Sequence, residues 1–167
     1  MTKSSIFIFL FFAVRLLSFG QTQTLILTKA QNDKWLDSLN TLSLDNKLKS
    51  IRNRVLSDTN VFVKKYHADK IRVVDSLGNR VYGDGKPTLI ISGHPIYIDN
   101  KTKSIRIIEL SDLMTATYIR EINILNPKDP ATLSLYGSSG QFGIIIITPA
   151  KKEYTRKFKR LSQNFNH

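Results

Sequence analysis

Ile144-Ile145-Ile146-Ile147 is the segment that most limits what this chain can become. Four consecutive β-branched apolar residues show neither a helical stripe nor a polar alternation. Such a run reads as a strand covered on both faces, in the middle of a sheet. The eight residues before it, Tyr136-Gly137-Ser138-Ser139-Gly140-Gln141-Phe142-Gly143, read as a flexible loop. Gly137, Gly140 and Gly143 let that loop turn sharply and pass close to other backbone. Tyr136 ends a short helical turn over residues 131–135, entered through Pro130. Its ring can pack while its hydroxyl finds a partner.

Shorter strand signals precede this unit. Val61-Phe62-Val63 and Ile71-Arg72-Val73-Val74 are rich in β-branched residues and read as strands, and Gly78-Asn79 reads as a turn before Arg80-Val81-Tyr82. Gly83-Asp84-Gly85-Lys86-Pro87 is a strong break. Residues 88–91 and 96–98 then form two strands around a Ser92-Gly93-His94-Pro95 turn. Residues 100–104 read as a polar loop and 105–108 as a further short strand. Residues 118–125 alternate as a strand should.

Helical signals are fewer. Trp35, Leu36, Leu39 and Leu42 suggest a first helix. Leu44, Leu48, Ile51 and Val55 recur at spacings of four, three and four, which predicts a second, capped by Ser43 or Asp45. Lys47, Lys49, Arg52 and Arg54 fall off that stripe and read as a solvated basic face. Ser111 or Asp112 is placed to cap a short helix through Leu113 and Met114. Together these patterns predict an α+β fold: a small mixed β-sheet with short helices.

The first twenty residues stand apart. Lys3 gives a positive start, residues 6–14 are unbroken apolar, and Ser18-Phe19-Gly20 closes the run with small residues. That layout predicts a secretory signal peptide cleaved before Gln21. The apolar run is shorter than the about 20 residues a bilayer-spanning helix needs, and Arg15 interrupts its extension. Export to the periplasm is therefore expected. With no Cys in the chain, disulfides are excluded and stability rests on the core.

The chain carries 25 Lys+Arg against 13 Asp+Glu, and only two of the basic groups fall in the first twenty residues. Six more sit in the last seventeen: Lys151, Lys152, Arg156, Lys157, Lys159 and Arg160, with Glu153 the one acid among them. The expected organisation is a leader at 1–20, an N-terminal region at 21–86, a domain at 87–150 and a basic tail at 151–167. The tail reads as a solvated arm that meets anionic lipid or lipopolysaccharide. Tyr154, Phe158 and Leu161 also permit a packed amphipathic helix there. Export directs the chain away from nucleic acid, although aromatic and basic residues interleave in the tail.

The inventory for catalysis is thin. His67, His94 and His167 have no partner at metal-ligand spacing, so no metal or other cofactor is expected. His94 reads as a turn residue. Ser138 and Ser139 lack the G-x-S-x-G elbow. Gly83-Asp84-Gly85-Lys86 lacks the spacing and following hydroxyl of a phosphate-binding loop. Glu109, Asp112 and Glu121 are the nearest acidic group, and Asp112 is better used as a cap. The chain is accordingly read as non-catalytic.

The stretch from Pro87 to Lys152 resembles the plug domain of TonB-dependent outer-membrane receptors, above all the SusC-like receptors of Bacteroidetes. The residues that carry the resemblance are the strands around Gly93, then Ile119-Arg120-Glu121-Ile122-Asn123-Ile124-Leu125. Ala131-Thr132-Leu133-Ser134-Leu135-Tyr136-Gly137-Ser138 and Gly143-Ile144-Ile145-Ile146-Ile147-Thr148 complete it. Ser92, Ser139 and Pro149 depart from the family pattern, and the receptors' barrel does not follow. The resemblance implies a plug-like domain with Gly93, Tyr136, Gly137, Ser138, Gly140 and Gly143 as structural motif residues. It implies an accessory or binding role in outer-membrane uptake, at the inner face of the outer membrane, with a barrel or another envelope protein as partner. The alternative expectation is a basic periplasmic protein that binds anionic envelope surfaces through its tail; a periplasmic hydrolase of unrecognised type ranks third.

Overall fold

A computed structural model describes residues 25–59, 61–63, 81–98, 102 and 104–165. The expected leader, the strand at 71–74, the Gly78-Asn79 turn, His67 and His167 lie outside the described residues.

The chain enters through α1, Lys29–Asn40, which starts on a capping box. Thr28 Oγ1 accepts from the Gln31 amide at 3.2 Å, and Gln31 Oε1 accepts from the Thr28 amide at 3.0 Å. Asp84 Oδ2 accepts from the Lys29 amide at 2.9 Å and ties this start to a distant loop. Helix α2, Leu44–Asp58, follows with Ser43 at its N-cap, though the serine side chain makes no cap bond. The expected stripe is real: Leu48, Ile51 and Val55 are buried.

Strands β1, Val61–Val63, and β2, Val81–Gly83, form a separate parallel pair. The main sheet has the order β4-β3-β6-β5, with β3 Thr88–Ile91, β4 His94–Ile96, β5 Ile119–Leu125 and β6 Ile144–Pro149. β3 runs parallel to β6, while the β3–β4 and β5–β6 pairs are antiparallel. The mixed sheet and its helices make this a small α+β fold, as the sequence predicts.

The tetra-isoleucine strand is central. Register places Leu89 beside Ile145, Ile91 beside Ile147, and Ile122 and Ile124 on the other flank of the same face. This face meets the helices, and its residues belong to one apolar cluster with Leu36, Leu39, Leu48, Ile51 and Val55. The opposite face carries Ile90, Ile146 and Asn123, and is only partly covered. Burial on both faces therefore holds for Ile144 and not for Ile146. The sheet is one layer and the helices are mainly the other.

Several expectations are corrected. The turn between β3 and β4 is Ser92-Gly93 alone; His94 and Pro95 pair within β4. Residues 105–108 are not a strand but part of α3, Ser104–Leu113. Ile107, Leu110 and Leu113 recur every three residues and bury one face, while Ile105 and Ile108 stay exposed. Ser111 and Asp112 thus close α3 instead of opening a helix. Ser111 Oγ accepts from Arg52 Nε at 2.7 Å, and Asp112 lies 3.5 Å from Arg52 Nη2.

The basic tail is corrected as well. After α4, Pro130–Tyr136, the 3-10 turn Gly137–Gly140 and β6, the chain forms α5, Lys152–Phe165. Phe158 is fully buried and Leu161 nearly so. The ring of Tyr154 meets Tyr118 edge-on at 4.9 Å. The solvated arm gives way to the packed helix because its aromatic residues share one face with the core. Residues of α1 and α2 belong to one apolar cluster with the sheet.

Candidate binding site

The glycine-rich segment before β6 is a fixed structure. Gly143 has φ +86° and Gly137 φ +55°. The Gly143 amide donates to the Gly140 carbonyl at 2.9 Å, and its own carbonyl accepts from the Thr88 amide at 3.0 Å. Thr88 Oγ1 donates to the Ser139 carbonyl at 3.1 Å. Asn32 Nδ2 reaches from α1 to the Phe142 carbonyl at 2.8 Å. A Cβ on Gly140 would stand 2.9 Å from the Thr132 carbonyl oxygen. The flexible loop of the sequence reading is therefore corrected to a hydrogen-bonded turn.

The motif residues do not converge on one point. Gly93, φ +80°, sits in the β3–β4 turn with nothing within 4 Å of a Cβ placed there. Tyr136 is half-buried at the end of α4, and Ser138 is exposed in the 3-10 turn. Gly140 and Gly143 are buried against α4 and α1 respectively.

The six basic residues are brought together on the outer side of α5 and its entry. Lys151, Lys152, Arg156, Lys157, Lys159 and Arg160 are all exposed. Lys152, Arg156, Lys159 and Arg160 recur at helical spacing on one face. Lys157 lies 5.1 Å over the Tyr118 ring and Lys151 lies 5.7 Å over Tyr154. A groove of about 750 Å³ between α3 and α5 is lined by Glu109 and Asp112 of α3 and by Glu153, Arg156, Lys157 and Arg160 of α5.

A second cavity, of about 350 Å³, lies between α2, the β3–β4 hairpin and the glycine-rich turn. Sequence reasoning missed it. Its walls are mainly apolar, from Trp35, Val55, Leu89, Ile96 and Phe142, with Thr88, Ser138 and Ser139 also in the lining and Tyr97 at an exposed position. Gly85 admits the Phe142 ring, which would lie 2.2 Å from a Cβ there. Among these apolar groups sits an ion pair. Arg54 Nε donates to Asp58 Oδ1 at 2.6 Å, with the two side chains 4% and 7% exposed.

Arg54 was expected on a solvated face, and the structure buries it. Its guanidinium lies 5.2 Å from the centroid of the Trp35 ring, and the ring attracts it. Trp35 Nε1 in turn donates to Ser50 Oγ at 3.0 Å. Lys86 Nζ donates to the Asp58 carbonyl and, at 3.1 Å, to the Ile98 carbonyl. Burial pushes the Asp58 carboxyl up from the usual carboxylate range, against the pull of Arg54 and Lys86. Burial also moves Arg54 down, against Asp58. The sequence signal for this pair was the spacing: Asp58 follows Arg54 by four residues on the same helix.

No group of three His, Asp or Glu among the described residues is placed to hold a metal ion. No described helix is long and apolar enough to cross a membrane. No family model, no curated protein and no solved structure matches the chain.

Proposed function

We propose that this chain is a non-catalytic envelope protein whose plug-like domain serves as an accessory or binding module for outer-membrane uptake. The observation that carries the reading is the order of pieces between Pro87 and Lys152. Strand, glycine turn, strand, strand, short helix, glycine-rich turn and central strand succeed one another within a single sheet. The insertion of α3 before β5 leaves that order intact. Export rests on the positive start, apolar run and small-residue close of residues 1–20.

The test is in the source bacterium. A photo-reactive residue at Ser138, exposed beside the glycine-rich turn, is expected to cross-link to an integral outer-membrane barrel. Mass spectrometry of the recovered protein is expected to find Gln21 at the N-terminus. A cytosolic protein that keeps residues 1–20 and gives no envelope cross-link would sink the proposal.

The exposed basic face of α5 favours a second reading, binding to anionic envelope surfaces. Each Lys or Arg near such a surface contributes about 1 kcal/mol, and salt screens it. Vesicle binding that falls steeply between low and physiological salt supports this reading; binding indifferent to salt removes it.

A further inference from the structure

Arg54 presents a problem of unused donors. A guanidinium has five N–H groups and no way to shed its charge in a protein. Among the described residues only Nε has a hydrogen-bond partner, Asp58 Oδ1. Nη1 and Nη2 are both buried, and among the described residues neither has a hydrogen-bond acceptor. Buried donors left unmade cost about 1–3 kcal/mol each, and folded proteins rarely keep them without a reason.

The surroundings specify what would satisfy them. The two terminal nitrogens of an arginine present parallel donors that fit the two oxygens of a carboxylate. Among the described residues lining the cavity, Arg54 and Lys86 are basic and Asp58 is the one acid. Most of the remaining lining is apolar, Trp35, Val55, Leu89, Ile96 and Phe142 among it, with Thr88, Ser138 and Ser139 adding hydroxyls on the side of the glycine-rich turn. The volume, about 350 Å³, falls at the small end of ligand sites, which span roughly 300–1,000 Å³. We infer that this cavity is a binding site for a small monocarboxylate with an apolar body, its carboxylate held by Arg54 Nη1 and Nη2 and its body against Trp35 and Phe142. Both nitrogens are shut off from solvent, so the ligand parts the lining as it enters. The assignment stands apart from the accessory role, since it requires neither a barrel nor export.

Trp35 is the one tryptophan in the chain, and it lines the site, so its fluorescence reports occupancy. The purified full chain is titrated with benzoate, with its neutral counterpart benzamide, and with inorganic phosphate. Benzoate is expected to give a saturable change that benzamide and phosphate do not. Arg54→Met should weaken benzoate at least tenfold. Asp58→Asn removes the competing negative charge and should tighten benzoate severalfold, a direction that general damage to the fold would not produce. If Arg54→Met does not fold, Asp58→Asn decides. No saturable response to benzoate up to about 10 mM overturns the inference. So does an equal response to benzamide or to phosphate, or unchanged or weaker benzoate binding in folded Asp58→Asn.

Discussion

At Gly143 a methyl group would stand 2.5 Å from Leu36 Cδ1 and 3.1 Å from the Leu125 carbonyl oxygen, on a backbone at φ +86°. Two penalties act together there. The backbone conformation alone costs of order 1–3 kcal/mol for a residue with a side chain, and a fully buried Leu36 must also move. Gly137, at φ +55°, has nothing within 4 Å of its would-be Cβ and incurs only the first. Gly143→Val is therefore expected to lower the melting temperature well beyond Gly137→Ala in thermal denaturation; equal losses would mean that Leu36 yields freely. Charged residues allow a second comparison. A hydrogen bond from Lys128 Nζ at 2.8 Å holds the Asp37 carboxyl below its ordinary value. Stability from this pair is present above the ordinary carboxyl value and fades as pH falls through the lowered one. Asp58 has the opposite sign: its raised value means the folded state keeps a proton longer, so its contribution falls as pH rises from the ordinary value through the raised one. Carboxyl carbon NMR should place the Asp37 midpoint below the ordinary range and that of Asp58 above it, and Lys128→Ala should return Asp37 toward it. At this scale the glycines were legible, because positive φ leaves few alternatives. Arg54 was not: an off-stripe arginine reads as solvated until Trp35 and the hairpin close over it.

At the scale of elements, α3 and α5 show why one pattern misleads and another does not. Residues 105–108 hold three isoleucines around an arginine, and β-branched residues are enriched in strands. The helix forms because tertiary burial of Ile107, Leu110, Leu113 and Met114 outweighs that local preference, which spans only about 1 kcal/mol. The apolar residues that decide it lie beyond the short run on which a strand was read. In α5 the deciding residues are inside the segment: Tyr154, Phe158 and Leu161 at spacings of four and three. Charge obscured them, since six basic groups in seventeen residues read first as a solvated arm. Phe158 is fully buried, and removing such a ring typically costs about 3–5 kcal/mol. Phe158→Ala is therefore expected to destabilise the protein by that order in urea unfolding, and the chain ending at Ala150 should be less stable still. Lys159→Ala, exposed on the same helix, should change stability by less than about 0.5 kcal/mol. Limited trypsin digestion is expected to leave α5 attached, despite its many cleavage points; rapid loss of the tail alone would contradict the packed helix.

Across the whole molecule, the resemblance marks out residues 87–152 as a unit, while the packing does not. One face of the sheet, with Leu89, Ile91, Ile122, Ile145 and Ile147, belongs to the same cluster as Leu36 and Leu39 of α1, Leu48, Ile51 and Val55 of α2, and Phe158 of α5. Asn32 and Asp37 add polar ties from α1 to Phe142, Asn126 and Lys128. A fragment of residues 87–152 would keep every strand of the main sheet and lose three of the helices that cover its apolar face. Burying a Leu or Ile side chain contributes about 1.5–3 kcal/mol, and stability in domains of this size totals only about 5–15 kcal/mol. Exposing that face thus removes more than the fold has to spare. The fragment is expected to lack the dispersed amide spectrum and cooperative melting of a folded domain, and to aggregate through its uncovered sheet. In the intact protein, Trp35 fluorescence, which reports α1, and amide exchange in β6 should then lose their native signals in one transition, as a single cooperative core requires. A fragment that melts cooperatively on its own, or an α1 that unfolds well before β6, would show that the helices only decorate a sheet already stable without them.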